Sequence, residues 1–268
     1  MGRIEDAFAK RSAEGRKVLI TYLCVGDPDA ETSIELALAC AEEGADIIEL
    51  GCPFSDPSAD GVAIARASTR ALARGGGLVE TLRVAKAIRE RSPVPLVLFG
   101  YYNPLFVRGE ADAAREVAQA GIDALLVVDL PIDESQPLRE AAAEREIGVV
   151  PLVAPTTKLE RIAKIAEMGE RYPIPFVYYV SMTGVTGGAS AESVLAQAGD
   201  RAEAVRRVTG RPTVVGFGID NAARARAAAR ADGVVVGSAI VRRIEDGASP
   251  SARLDAVREL VRELRGAV

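Results

Sequence analysis

The chain has 268 residues, 49% hydrophobic and only 4% aromatic, with a formal net charge of −5 and no histidine. Lys and Arg are scattered, with no basic run and no aromatic interleaving, which argues against nucleic-acid and anionic-membrane binding. Three cysteines without a CxxC pair, and no His, argue against a disulfide framework and a zinc site.

Residues 1–17 are polar and charged and lack the apolar core of a signal peptide. No apolar run is long enough to span a bilayer, so a cytoplasmic protein is expected. From residue 18 onward, short apolar runs alternate with longer amphipathic ones. Strands are expected at 18–24, 46–50, 95–99, 124–128, 149–153, 176–180, 213–215 and 233–236. Helices are expected at 30–43, 62–74, 78–91, 110–120, 134–145, 158–168, 191–208, 222–230 and 251–265. The strands are continuous apolar runs, as a parallel sheet covered on both faces requires. Eight strand–helix units in this length fit a single (β/α)8 TIM barrel over 1–268, with an extra N-terminal helix. A doubly wound open sheet is the alternative. Gly44-Ala45-Asp46, Gly121-Ile122-Asp123 and Arg230-Ala231-Asp232 each precede an apolar strand and read as one repeated turn that stops a helix and opens a strand.

In such a barrel the active site lies at the C-terminal ends of the strands. Strand two ends in Glu49, followed by a Pro-rich loop carrying Asp56 and Asp60. A carboxylate at the mouth of a buried strand is costly unless exposed or employed. Partial burial would raise its pKa toward neutrality, which suits proton transfer in a chain without His. The plainer roles for Asp60 and Asp56 are a helix N-cap and an Asx turn before Pro57. Asp129, at the end of strand four, reads as a capping or loop-anchoring residue. Cys24 and Cys52 read as small buried residues. Tyr102 and Tyr178 read as wall residues. Glycine turns after strands seven and eight, Gly216-Phe217-Gly218-Ile219 and Gly237-Ser238-Ala239-Ile240, fit a phosphate cradle built from main-chain N–H groups at a helix start. Taken singly, these glycines allow tight turns, and Ser238 is an N-cap.

The chain resembles the tryptophan synthase α-subunit family along nearly its whole length. The residues that carry this are Gly26-Asp27-Pro28, Glu49-Leu50-Gly51-Cys52-Pro53-Phe54-Ser55-Asp56-Pro57-Ser58-Ala59-Asp60-Gly61, Tyr101-Tyr102-Asn103-Pro104, Gly184-Val185-Thr186-Gly187, and the glycine turns at 216–219 and 237–241. The resemblance implies retro-aldol cleavage of indole-3-glycerol phosphate, without a metal or cofactor in this subunit. It implies a pyridoxal-phosphate β subunit as partner in an α2β2 assembly. Glu49 is then the acid–base group, and Asp60 holds the indole N–H. Gly187, Gly218, Gly237 and Ser238 hold the phosphate, while Tyr22, Tyr102, Tyr178 and Phe217 line the pocket. Thr186 lies in a closing loop, and Pro53 and Asp56 face the partner. Tyr22, Gly100 and Met182 depart from the residues common in the family, and the helix between Ile219 and Gly233 is short. Alternatives are another phosphosugar enzyme on the same barrel, or a non-catalytic activator of the β subunit.

Overall fold

The protein is described from a computed structural model covering residues 2–181 and 191–268. Its strands are β1 (Val18–Cys24), β2 (Ile47–Gly51), β3 (Leu96–Gly100), β4 (Ala124–Val127), β5 (Gly148–Val149), β6 (Leu152–Val153), β7 (Val177–Val180), β8 (Thr213–Gly216) and β9 (Gly233–Val236). Its helices are α1 (Arg3–Ala13), α2 (Ala30–Glu42), α3 (Val62–Leu72), α4 (Leu78–Arg91), α5 (Tyr102–Arg108), α6 (Glu110–Gln119), α7 (Gln136–Ala143), α8 (Leu159–Arg171), α9 (Ala191–Thr209), α10 (Ala222–Ala227), α11 (Ser238–Asp246) and α12 (Pro250–Arg265). All pairings are parallel, in the order β5-β4-β3-β2-β1-β9-β8-β7-β6.

The fifth expected strand is split into β5 and β6, and the reason is Pro151. It has no N–H to give to a ladder, and the chain changes partner there. The Val150 N–H donates to the Leu125 carbonyl on β4 at 2.8 Å, while the Pro151 carbonyl accepts from the Tyr178 N–H on β7 at 3.0 Å. The two sheet edges therefore meet within one stave, which closes the barrel of eight. The helix expected at 134–145 also begins later. A 3₁₀ turn, Ile132–Glu134, precedes α7, whose first turn holds Pro137, where a missing N–H costs nothing. Helix α5 was not anticipated.

Alternation along the strands builds two cores. Val18, Ile20, Tyr22, Ile47, Val97, Phe99, Leu126, Phe176, Tyr178, Val214 and Val235 fill the barrel interior. Leu19, Leu23, Ile48, Leu50, Leu96, Leu98, Val177, Val215 and Val234 pack outward beneath the helices. Glu49 shares the parity of Ile47 and pairs in register with Tyr22, so its side chain belongs to the interior set.

The repeated turn closes the N-terminal end of the barrel. Asp46, Asp123 and Asp232 each donate a main-chain N–H to the carbonyl of Leu19, Leu96 and Thr213, respectively. Each also accepts, through its carboxylate, the N–H of that same residue at 2.8–2.9 Å. Arginines complete the set: Arg11 and Arg265 on Asp46, Arg3 and Arg89 on Asp123, Arg206 on Asp232. Among the described residues, no helix is long and apolar enough to cross a membrane.

Candidate functional site at the C-terminal end of the barrel

A cavity of about 400 Å³ opens at the C-terminal ends of the strands and gathers residues from β1, β2, β3, β7, β8 and β9 with the loops that follow them. Tyr22, Glu49, Asp60, Tyr178, Phe217, Gly218, Gly237 and Ser238 all line it. Larger concavities of about 530 and 620 Å³ involve residues at the opposite end, such as Arg16, Pro212 and Asp123. The smaller cavity is distinguished by a buried acid without a hydrogen-bond partner.

Glu49 is 1% exposed, and neither of its carboxylate oxygens has a hydrogen-bond partner. Burial without compensation favours the neutral acid and pushes its pKa up to about 8. At neutral pH this residue therefore keeps its proton. Asp60 is half-buried; burial raises its pKa to about 6, against which a hydrogen bond from Tyr101 acts to hold the carboxylate ionised. One cavity thus holds a protonated acid and an ionised one at the same pH. Asp60 does not cap a helix: α3 starts at Val62 behind Gly61, with no side-chain cap. Asp56 makes no Asx turn. Its carboxylate takes the Ser55 hydroxyl at 2.5 Å, and the Ser58 N–H goes to its main-chain carbonyl.

The aromatic walls depend on two glycines. A Cβ on Gly51 would lie 2.2 Å from the Tyr22 hydroxyl oxygen, and one on Gly216 would lie 2.0 Å from that of Tyr178. Phe99 meets Tyr22 edge-on, with centroids 5.1 Å apart. Burial raises both phenol pKa values well above the usual, and Glu49 adds to the rise at each. Gly100 is less constrained, since a Cβ there would approach only Cys52 at 3.3 Å.

The β8 turn is held open in an unusual backbone shape. Phe217 has φ +78° and Gly218 φ +77°, a region that costs a non-glycine residue energy unless its surroundings impose it. The Ser181 hydroxyl imposes it by reaching the carbonyls of Gly216 (2.9 Å) and Phe217 (3.0 Å). Across the cavity, α11 begins at Ser238, and its first N–H groups have no partner within the helix. The loop after β1 braces this rim. Arg70 of α3 grips Asp27 with two hydrogen bonds (2.7 and 2.8 Å) and reaches Glu245 of α11 at 2.8 Å. That pairing gives the Gly26-Asp27-Pro28 motif a structural task.

Several expectations need adjustment. Tyr102 does not line the cavity; its hydroxyl bonds to Glu110 and its ring packs among the outward cluster. Tyr101 stands beside Asp60 instead, with its hydroxyl accepting the Ala59 N–H at 3.0 Å and its ring stacked on Phe54. Strand parity explains the difference: Val97 and Phe99 point inward, so the next inward position is 101. Asp129 anchors a loop, accepting the Tyr102 N–H at 2.7 Å where α5 starts. Cys24 is buried and Cys52 partly so. Asp56 is exposed, whereas Pro53 is buried within this chain and offers a partner little surface. Thr186, Gly187 and Met182 lie outside the described residues. Arg224 and Arg242, which no motif singled out, also line the cavity.

Comparison with known proteins agrees with this geometry. The sequence model of the family described as "Tryptophan synthase alpha chain" matches residues 8–268. A protein of that name from Geotalea daltonii is 44% identical over 248 residues, covering 91% of each chain. Another from Synechococcus elongatus is 43% identical over 270 residues, covering 100% of this chain and 97% of the relative. The solved tryptophan synthase subunit alpha of Legionella pneumophila superposes with a TM-score of 0.88 at 32% identity, covering 100% and 98%. A chain from a Mycobacterium tuberculosis tryptophan synthase structure gives 0.87 at 34% identity, covering 100% of both. The chain belongs to the tryptophan synthase alpha chain family.

Proposed function

We propose that this chain cleaves indole-3-glycerol phosphate to indole and glyceraldehyde 3-phosphate and passes the indole to a tryptophan synthase β subunit. The observation that carries the reading is the pair of acids in one cavity: Glu49, buried, unpartnered and protonated, and Asp60, ionised. A retro-aldol cleavage of this substrate needs one proton delivered and one removed. Glu49 gives its proton to the ring carbon that bears the side chain. Positive charge then develops on the ring nitrogen, where the Asp60 carboxylate accepts the N–H and stabilises it. The Glu49 carboxylate takes the proton of the adjacent side-chain hydroxyl as the carbon–carbon bond breaks. The bonding pair returns to the ring, the aldehyde forms, and Glu49 is protonated again. No electrons enter or leave, so these side chains balance the step and we assign no cofactor to this chain.

The two carboxyls have the opposed environments that separate an acid from a charge stabiliser. Tyr22, Phe99 and Tyr178 offer flat apolar faces for the indole, and Gly218, Gly237 and Ser238 offer main-chain donors and a hydroxyl for the phosphate. A β partner is supported by the placement of exposed apolar side chains. Val62, Val79, Phe106, Val107 and Leu159 all lie in helices whose starts face the C-terminal end of the barrel, on the same side as Asp56. An α2β2 assembly with pyridoxal phosphate in the β chain is the arrangement we infer. The test is release of indole from indole-3-glycerol phosphate by the purified chain, alone and with a β subunit. Turnover, increased by the partner, is expected; no release in either case from a folded chain would overturn the reading.

A further inference from the structure

Two arginines line the cavity near the glycine turns, and their surroundings differ. Arg224 of α10 is ion-paired: its Nη1 lies 2.5 Å from Asp220 and also reaches the Gly218 carbonyl at 3.4 Å, while its buried Nε has no hydrogen-bond partner. Arg242 of α11 has no ion pair or hydrogen bond among the described residues. It is four residues after Ser238, so the two share a helix face. Helical side chains lean toward the N-terminus, which carries the Arg242 guanidinium back over the turn where Ser238 and the free N–H groups lie. The remaining charges on the cavity wall are Glu49, neutral at pH 7, Asp60, and Asp220 paired with Arg224, whose charges offset each other.

A phosphate dianion held only by main-chain dipoles and one hydroxyl leaves its charge incompletely answered. We propose that Arg242 supplies the missing positive charge, and that its guanidinium selects the phosphorylated substrate at the rim of this cavity. This rests on the function proposed above and adds a residue to it. Arg242 touches the phosphate end and not the reacting carbons, so its contribution is to binding that is equal in the ground and transition states. Such a contribution moves KM and leaves kcat alone.

The experiment compares the wild-type chain with Arg242→Gln, Arg242→Lys and Arg243→Gln. Arg243 is exposed and does not line the cavity, so Arg243→Gln removes the same formal charge one residue away. For Arg242→Gln we expect KM for indole-3-glycerol phosphate to rise about five- to tenfold with kcat unchanged, a charged hydrogen bond discounted for its solvent exposure. Arg242→Lys should recover most of that loss, and Arg243→Gln should match wild type. Raising the salt from about 20 mM to about 500 mM should shrink the difference between Arg242→Gln and wild type, because screening weakens the lost interaction. The idea fails if Arg242→Gln binds as wild type does, if kcat falls while KM holds, or if Arg243→Gln gives an equal loss. Calorimetric titration with indole-propanol phosphate reads the same comparison without turnover. A wild-type chain that cleaves nothing would sink the assigned reaction, while the titration would still decide whether Arg242 binds the phosphate.

Discussion

At the N-terminal end of the barrel, Asp46 accepts a main-chain N–H at 2.9 Å and two arginines at 2.6 and 2.7 Å. At the C-terminal end, Glu49 is more deeply buried and accepts nothing. Both are acids beside parallel strands, yet one has both of its oxygens bonded and the other leaves its carboxyl empty. A buried unpaired carboxyl is a standing cost to the fold, and it is kept where its proton is wanted. Satisfied acids hold strands in register; unsatisfied ones are available to a ligand.

The largest test of that contrast is Glu49→Gln. Loss of the acid–base group should lower kcat for indole release by about 10²–10⁴-fold. Stability should move the other way with pH. The Glu49 pKa rises from 4.5 to about 8 on folding, so the folded chain binds the extra proton between those values. This stabilisation is fully present below about pH 4.5 and is lost as pH rises to about 8, the loss reaching about 3 kcal/mol by pH 7. Denaturant melts of Glu49→Gln should lack that part of the slope. A variant that keeps full turnover, or a wild type with the same pH slope as the variant, would break the contrast.

Asp46→Ala is the mirror experiment. It takes a carboxylate from Arg11 and Arg265, whose side chains are only 15% and 11% exposed and which keep Glu14 and the Lys17 carbonyl, respectively, as remaining partners, and leaves the Leu19 N–H without its carboxylate partner. Removing one member of such a set should cost about 3–5 kcal/mol, read as a shift in the denaturation midpoint. The kcat for indole release, measured where the variant is still folded, should be unchanged. A large drop in kcat with normal stability would show that the two ends are not separable in this way.

Much of this was visible in the sequence because it is local. The unbroken apolar runs identify the staves of a parallel barrel, and Glu49 stands out as an acid ending one of them. The turn shared by Asp46, Asp123 and Asp232 was also legible as a strand-opening device. Its second half, the carboxylate reaching the N–H of the preceding strand, was not, because it depends on the register between two strands joined by intervening helices. The same holds for Arg70, whose partners Asp27 and Glu245 lie 43 and 175 residues away. Tyr101 is a different case. Alternation along β3 carried the information, since Phe99 faces inward and 101 follows at the same parity, but the two adjacent tyrosines drew the reading to Tyr102. Pro151 was equally available as a reason to split the fifth strand.

Asp60 sharpens the comparison within the cavity itself. The proposed mechanism requires Asp60 charged and Glu49 protonated, so kcat/KM should rise through an apparent pKa of about 6 and fall through one of about 8. Asp60→Asn should reduce kcat/KM by about 10²-fold, the effect of losing one stabiliser of developing charge, and abolish the acidic limb. Retention of that limb in Asp60→Asn would assign it to another group.

The smallest change expected is Tyr101→Phe, and it isolates one hydrogen bond. The ring stack on Phe54, with centroids 4.9 Å apart, survives the substitution, while the hydroxyl that accepts the Ala59 N–H and bonds to Asp60 is lost. That bond favours the ionised form of Asp60, so removing it should raise the Asp60 pKa further. The acidic limb of the kcat/KM profile should then move to higher pH by up to about one unit, a difference of about 1.4 kcal/mol between the two protonation states. Near pH 6 the variant should lose up to about fivefold in kcat/KM, and at pH 7.5 much less. A uniform loss across the whole range would mean that Tyr101 acts on the substrate directly. An unmoved limb with normal activity would mean that Asp60 is held ionised by something other than its tyrosine neighbour.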